Sequence, residues 1–256
     1  MEKRLSYFVG FTYVISWAIW LPNLLLHEPI PLLHLAGGLG PFLGALAATY
    51  VIDGKNGLFA YFKDRFLKPF KKRYALLAVI LPLMFMGIGL IVVRLFSDDS
   101  VPLSDIGRDD KLPLQSAPMI FLTWLLFYGI GEEGGWRGYL FPELRKRMSC
   151  HHAALTVSVF WAFWHAPVFL YDPDFSTIGV FGTAGWTIGL VFGSYFLGWL
   201  TEKASFSIIP AILFHAVFNY TAAGDVSPML SALISAQLIA FVLIVFKREN
   251  RMNVNK

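Results

Sequence analysis

Long apolar segments restrict this chain more than any other feature of its sequence. A transmembrane helix needs roughly 20 consecutive apolar residues, and eight segments meet or nearly meet that length. They are Leu5–Leu26, Pro31–Ile52, Tyr74–Phe96, Ala117–Phe141, His152–Leu170, Thr177–Leu200, Ser205–Tyr220 and Pro228–Phe246. The fourth is interrupted by two glutamates, and the seventh is short and contains Pro210. The pattern predicts an all-α polytopic membrane protein of about eight transmembrane helices.

Composition supports the same class. Hydrophobic residues make up 56% of the chain and charged residues 15%, whereas a soluble domain carries about 25% charged residues. The net charge of +4 does not indicate nucleic acid, because the basic residues lie in short gaps between apolar segments. The single cysteine, Cys150, excludes an intramolecular disulfide and a multi-cysteine metal site. Without repeats or a soluble region, we treat 1–256 as a single integral membrane domain.

The basic residues also predict an orientation. With both termini in the cytoplasm, the outer side holds only Arg94, Arg108 and Lys111, and Arg137 lies within a span. The remaining seventeen of the 21 lysines and arginines then lie on the inner side, which is a strong positive-inside bias. We expect an integral protein of a prokaryotic cell membrane with both termini cytoplasmic.

The longest cytoplasmic gap, 53–73, has a pattern of its own. Leu58, Phe59, Phe62, Phe66 and Phe70 recur at helical spacing, with lysines between them. This predicts a basic amphipathic helix on the anionic inner leaflet. A surface anchor is the favoured role, and a substrate gate or lipid sensor is the alternative.

Two adjacent carboxylates, Glu132 and Glu133, lie inside the fourth apolar segment. Ionisable groups in the membrane interior are costly, which makes them candidates for function. Four candidate partners share the apolar background: Arg137, His165, His215 and Asn219. The sequence therefore predicts a site within the membrane.

Helical rise places these residues at similar depth. At ~1.5 Å per residue, Glu132 and His165 each lie ~20 Å from the inner end of their span. His215 and Asn219, counted from Ser205, lie ~15 Å and ~21 Å from it. Because three spans carry polar residues at one level, we predict a single mid-membrane active site.

The spacing of these residues along each helix predicts which of them share a face. Glu133 and Arg137 are four residues apart, which allows a salt bridge along one helix. Glu132 points about 100° away from Glu133 and can face the fifth and seventh spans. His215 and Asn219, also four apart, share one helix face. Three small residues permit close helix approach or a locally opened helix: Gly134, Gly135 and Gly138.

These residue types suit amide hydrolysis. A carboxylate with a neighbouring histidine can deprotonate a water molecule. A histidine N–H and an asparagine amide can stabilise the oxyanion that the attack creates. Groups for both water activation and oxyanion stabilisation are therefore present: Glu132, His165, His215 and Asn219.

Three motifs in order resemble the CAAX protease and bacteriocin-processing family, also called the ABI family or type II CAAX prenyl endopeptidases. E-E-x-x-x-R spans Glu132 to Arg137, and H-x-x-x-N spans His215 to Asn219. The middle motif, F-x-x-x-H, ends at His165 but has Trp161 where Phe is usual. We expect position 161 to serve packing, not chemistry. The family-like core covers about 117–223.

The resemblance implies a glutamate-dependent intramembrane endopeptidase. In it, Glu132 and His165 would activate water, and His215 and Asn219 would form the oxyanion hole. Its substrate would be a membrane-associated peptide or lipidated protein, either a CAAX-type prenylated protein or a peptide or bacteriocin precursor.

Alternatives remain at this stage. We expect no cofactor, but two histidines and a glutamate could bind Zn²⁺. Against zinc, the chain has no H-E-x-x-H, and asparagine is a poor zinc ligand. A non-catalytic immunity or peptide-binding protein could retain the same fold. A transporter could also carry buried charges, but no repeated half is visible.

Overall fold

A computed structural model describes residues 2–26, 28–97, 101–107, 112, 116–222 and 227–254. These parts of the chain are mainly helical and contain no strand. We number the helices in chain order: α1 (Glu2–Trp20), α2 (Pro31–Gly38), α3 (Gly40–Arg65), α4 (Arg73–Phe96), α5 (117–145), α6 (Cys150–Trp164), α7 (Val168–Tyr171), α8 (Pro173–Ser176), α9 (Gly179–Lys203), α10 (Ile209–Ala222) and α11 (Pro228–Val254). Short 3₁₀ turns follow α1 at Leu21–Leu25 and precede α5 at Leu103–Asp105.

The helices agree with the predicted membrane class. Within the described ranges, six helical segments are long and apolar enough to cross a bilayer. A seventh, α10, is apolar but shorter. Helix α5 corresponds to the fourth apolar segment, which the two glutamates interrupt. The prediction of an all-α polytopic membrane protein is confirmed.

Helix α10 begins later than predicted. Ser205 and Phe206 adopt positive φ angles of 58° and 66°, so no right-handed helix can start there. The helix starts at Ile209, and the predicted start at Ser205 was wrong. Measured along the helix, His215 is therefore closer to its inner end than the sequence estimate.

Helix α5 alternates between two helical forms. It is α-helical over Ala117–Thr123, Gly131–Gly135 and Phe141–Arg145, and π-helical over Trp124–Ile130 and Trp136–Leu140. π-helical turns widen a helix and are frequent at functional sites. The predicted local opening of this helix is confirmed, and it lies on both sides of the two glutamates.

Small residues let α5 approach its neighbours closely. A Cβ atom on Gly131 would lie 2.6 Å from the carbonyl oxygen of Gly38. A Cβ on Gly134 would lie 2.5 Å from Cδ2 of Phe42. Both distances are too short for a real side chain, so glycine is required. The predicted close helix approach is confirmed, and it fixes the segment that carries Glu132.

The basic segment after the second apolar region continues α3. The helix kinks at Gly54 (φ 65°, ψ −161°) and runs on to Arg65. A helix is thus confirmed up to that residue, but Phe66 and Phe70 lie beyond its end. Phe59 is 71% exposed, as expected for an amphipathic surface.

This segment also contacts the predicted site helix. The Tyr61 hydroxyl donates to the Gly134 carbonyl at 2.6 Å, and Arg65 Nε donates to the Gly138 carbonyl at 2.8 Å. The Gly138 carbonyl lacks its α-helical partner four residues later because Pro142 has no N–H. The segment therefore stabilises the C-terminal half of α5, a role beyond that of a surface anchor.

A topology experiment tests the predicted orientation. With Cys150 replaced by Ser, a cysteine at Asp105 should react with an impermeant maleimide added outside intact cells. A cysteine at position 256 should react only after permeabilisation, because the positive-inside bias places the termini in the cytoplasm. Labelling of position 256 from outside would contradict this orientation.

Candidate active site

His165 directly follows the end of α6. The helix begins at Cys150, is capped by the Ser149 hydroxyl, which accepts the His152 backbone N–H, and ends at Trp164. The last carbonyls of a helix lack helical partners. One of them, that of Trp161, accepts a hydrogen bond from His165 Nδ1 at 2.7 Å. The Nδ1 atom therefore carries the proton, and the Nε2 atom of the neutral ring has a free lone pair.

Glu132 lies in the α-helical stretch between the two π-helical stretches and is 2% exposed. Its Oε2 atom accepts a hydrogen bond from the indole N–H of Trp161. Its other oxygen has no hydrogen-bond partner in the described part of the chain. Glu132 thus faces the fifth predicted span, and one carboxylate oxygen stays available.

Glu133 is completely buried and joins two helices. Its Oε1 atom accepts from Arg137 Nη1 at 3.1 Å and from His215 Nδ1 at 2.8 Å. The predicted Glu133–Arg137 salt bridge is confirmed. The bond to His215 was not predicted, because residue spacing does not indicate which of the two glutamates that histidine meets.

Trp161 is the site residue that sequence reasoning missed. Besides its two hydrogen bonds, its ring lies 4.5 Å from Arg137 Cζ, within cation–π range. It also meets the His215 ring edge-on, at 5.6 Å between centroids. Trp161 therefore contacts four of the predicted site residues: Glu132, Arg137, His165 and His215.

The expectation that position 161 serves packing alone was wrong. The sequence carried a signal, since a tryptophan with an N–H donor stands one helical turn before His165 where phenylalanine is usual. Burial in an apolar setting normally requires a partner for that N–H. The available partner at this depth was Glu132.

Asn219 lies one turn after His215 on α10 and is half-buried. Its side chain makes no hydrogen bond to the described residues, so its amide is available to a ligand. Other buried atoms also lack partners in the described ranges: Glu133 Oε2, Arg137 Nε, Arg137 Nη2 and Trp136 Nε1. Unpaired buried polar atoms indicate bound water or ligand.

The structure brings together Glu132, Glu133, Arg137 and His215. No direct hydrogen bond joins Glu132 to His165 within the described ranges, and Trp161 contacts both. In the same ranges, no three His, Cys, Asp or Glu side chains are grouped as metal ligands. The residues do not fit a three-ligand zinc site in this arrangement. Independence from metal stays a prediction.

The fold and site define a class: a helical membrane protein with a buried carboxylate–histidine cluster formed by α5, α6 and α10. Residues 114–221 match the family model described as type II CAAX prenyl endopeptidase Rce1-like. This segment contains all six predicted site residues, and the family resemblance is confirmed for it.

The chain is also similar to a curated protein. The CAAX prenyl protease 2 of Methanococcus maripaludis is 34% identical over 108 residues. The alignment covers 40% of this chain and 38% of that relative. The chain is thus matched over little more than a third of the relative's length.

Proposed function

We propose that this protein is an intramembrane endopeptidase that cleaves a membrane-associated substrate with an activated water molecule. The proposal rests on the different surroundings of two adjacent buried carboxylates. One, Glu132, has a free oxygen beside a tryptophan N–H, and the other, Glu133, is held by Arg137 and His215. The family match of the same segment supports hydrolysis of peptide bonds.

In the proposed first step, Glu132 takes a proton from water while the water oxygen attacks the scissile carbonyl carbon. The free carboxylate oxygen and the unprotonated Nε2 of His165 are the two acceptors that would hold this water. The proton then passes to the leaving nitrogen as the C–N bond breaks. Atoms and charges balance without a covalent enzyme intermediate.

The oxyanion would be stabilised from α10. Since Glu133 accepts the Nδ1 proton of His215, the neutral ring presents a lone pair at Nε2 and cannot donate there. Only the imidazolium form donates from both nitrogens. We therefore assign His215 to act as an imidazolium, together with the free Asn219 amide.

The proposed substrate is a lipidated protein or peptide in the membrane. The similarity to type II CAAX prenyl endopeptidases and to a CAAX prenyl protease 2 supports a CAAX-type prenylated protein as substrate, and a peptide or bacteriocin precursor is the second possibility. We expect the active site to lie within the membrane, where lipidated substrates are concentrated.

The experiment compares a farnesylated CAAX peptide with the same unprenylated peptide, using purified protein in detergent and mass spectrometry. We expect product from the parent protein and none from Glu132→Gln. Mass spectrometry of membrane peptides from cells carrying either form would reveal other substrates. Peptide binding without any product would contradict the protease proposal and favour a peptide-binding protein.

A chelation experiment tests the water-activation mechanism. If Glu132 and His165 hold water directly, activity in detergent should survive prolonged treatment with EDTA and phenanthroline. The measurement is cleavage rate before and after dialysis against metal-free buffer. Loss of activity that stoichiometric Zn²⁺ restores would contradict this prediction.

A further inference from the structure

Trp161 takes no part in the proton transfers of the proposed mechanism, yet it contacts both groups that would activate water. Its indole N–H donates to Glu132 Oε2, and its backbone carbonyl accepts the Nδ1 proton of His165. Two different atoms of one residue thus reach two side chains that share no hydrogen bond in the described part of the chain. The relative placement of the carboxylate and the imidazole therefore depends on this residue.

The indole of Trp161 is held in place by its surroundings. The side chain is 7% exposed. Its ring contacts the Arg137 guanidinium and the His215 ring. A large planar side chain with close neighbours cannot rotate without disturbing them. The direction of its N–H is thereby fixed before any substrate arrives.

We propose that Trp161 is the positioning residue of this site and aligns Glu132 with His165. The proposal rests on the proposed protease function. By binding Oε2, the N–H stops the carboxylate from turning and directs the free oxygen toward the water position. Trp161 touches no reacting atom, so its contribution is alignment.

The substitution Trp161→Phe isolates this contribution. It retains an aromatic ring and the backbone carbonyl that binds His165, and it removes the N–H that binds Glu132. Phenylalanine fills most of the same buried space with an apolar ring, so the variant should fold. We expect kcat to fall on the order of 10²-fold, as for a misplaced catalytic group. KM should stay unchanged, because Trp161 aligns the base without binding substrate.

A matched control is Trp20→Phe. Trp20 is 2% exposed, and its indole N–H donates to the His34 carbonyl at 2.8 Å. The control loses a buried indole hydrogen bond of the same kind, and its acceptor, the His34 carbonyl, belongs to none of the six predicted site residues. It should reduce thermal stability but leave kcat at the parent value. If Trp161→Phe lowers kcat no more than Trp20→Phe does, the proposal is overturned.

A second measurement does not depend on activity. The indole ¹H–¹⁵N resonance of Trp161, identified by its loss in Trp161→Phe, should lie downfield because a carboxylate accepts its hydrogen bond. It should move upfield in Glu132→Gln, where a neutral amide replaces the carboxylate. A resonance that does not respond to Glu132→Gln overturns the proposal. If the parent protein cleaves no substrate, the protease function fails, and this resonance still decides whether Trp161 positions Glu132.

Discussion

Glu132→Gln should lower the cleavage rate by ~10²–10⁴-fold, the range typical for loss of a general base. The amide has nearly the same size and can still accept the Trp161 N–H, so the protein should remain folded. It cannot accept a proton from water. Cleavage rate and melting temperature should be measured in the same detergent, and the melting temperature should stay close to that of the parent protein.

Two further variants provide a control and test the proposed oxyanion donor. Glu143→Gln makes the same chemical change at the inner end of α5, where Glu143 pairs with Lys146 at 2.7 Å; it should cleave at the parent rate. Asn219→Ala removes a proposed oxyanion donor and should reduce the rate by about 10²–10³-fold. If folded Glu132→Gln cleaves normally while Glu133→Gln does not, the two glutamates have the opposite roles.

Glu133→Gln should have its main effect on stability. It leaves the completely buried Arg137 without its counter-charge, and breaking such a pair can cost about 3–5 kcal/mol. The rate should fall as well, because His215 loses the carboxylate that holds its ring in place. The measurements are the melting temperature and the rate per folded molecule.

The double variant Glu133→Gln/Arg137→Met separates these two effects. With Arg137 also replaced, no buried guanidinium is left without its counter-charge, and replacing a buried ion pair by apolar groups is often neutral. The melting temperature should therefore recover toward the parent value, while the rate stays low. If Glu133→Gln alone melts at the parent temperature, Glu133 does not stabilise the protein by pairing with Arg137.

The charged residues of the site could be found from the sequence for a simple reason. A charge inside a long apolar segment is visible without a structure, because the cost of burying it depends on the solvent that surrounds it. The Glu133–Arg137 bridge was equally accessible, since it joins residues one helical turn apart. Both are local properties of the chain.

The contacts between helices were not accessible in this way. The Glu133–His215 hydrogen bond joins residues 82 positions apart, and the Trp161–Glu132 bond joins residues 29 positions apart. Which partner each side chain meets depends on how every helix is rotated about its axis. That rotation results from the packing of several helices at once, so periodicity alone left the partner of His215 open.

By itself, the sequence determined the membrane class, because hydropathy acts along the chain. It also predicted the reactive residues and their shared level in the bilayer, the latter from helical rise alone. Only the tertiary structure decided the π-helical stretches of α5, the late start of α10 and the contact of Arg65 with Gly138. It also decided that Trp161 belongs to the site. These features arise where distant parts of the sequence approach each other. There, a backbone carbonyl without a partner in its own helix accepts a hydrogen bond from another helix.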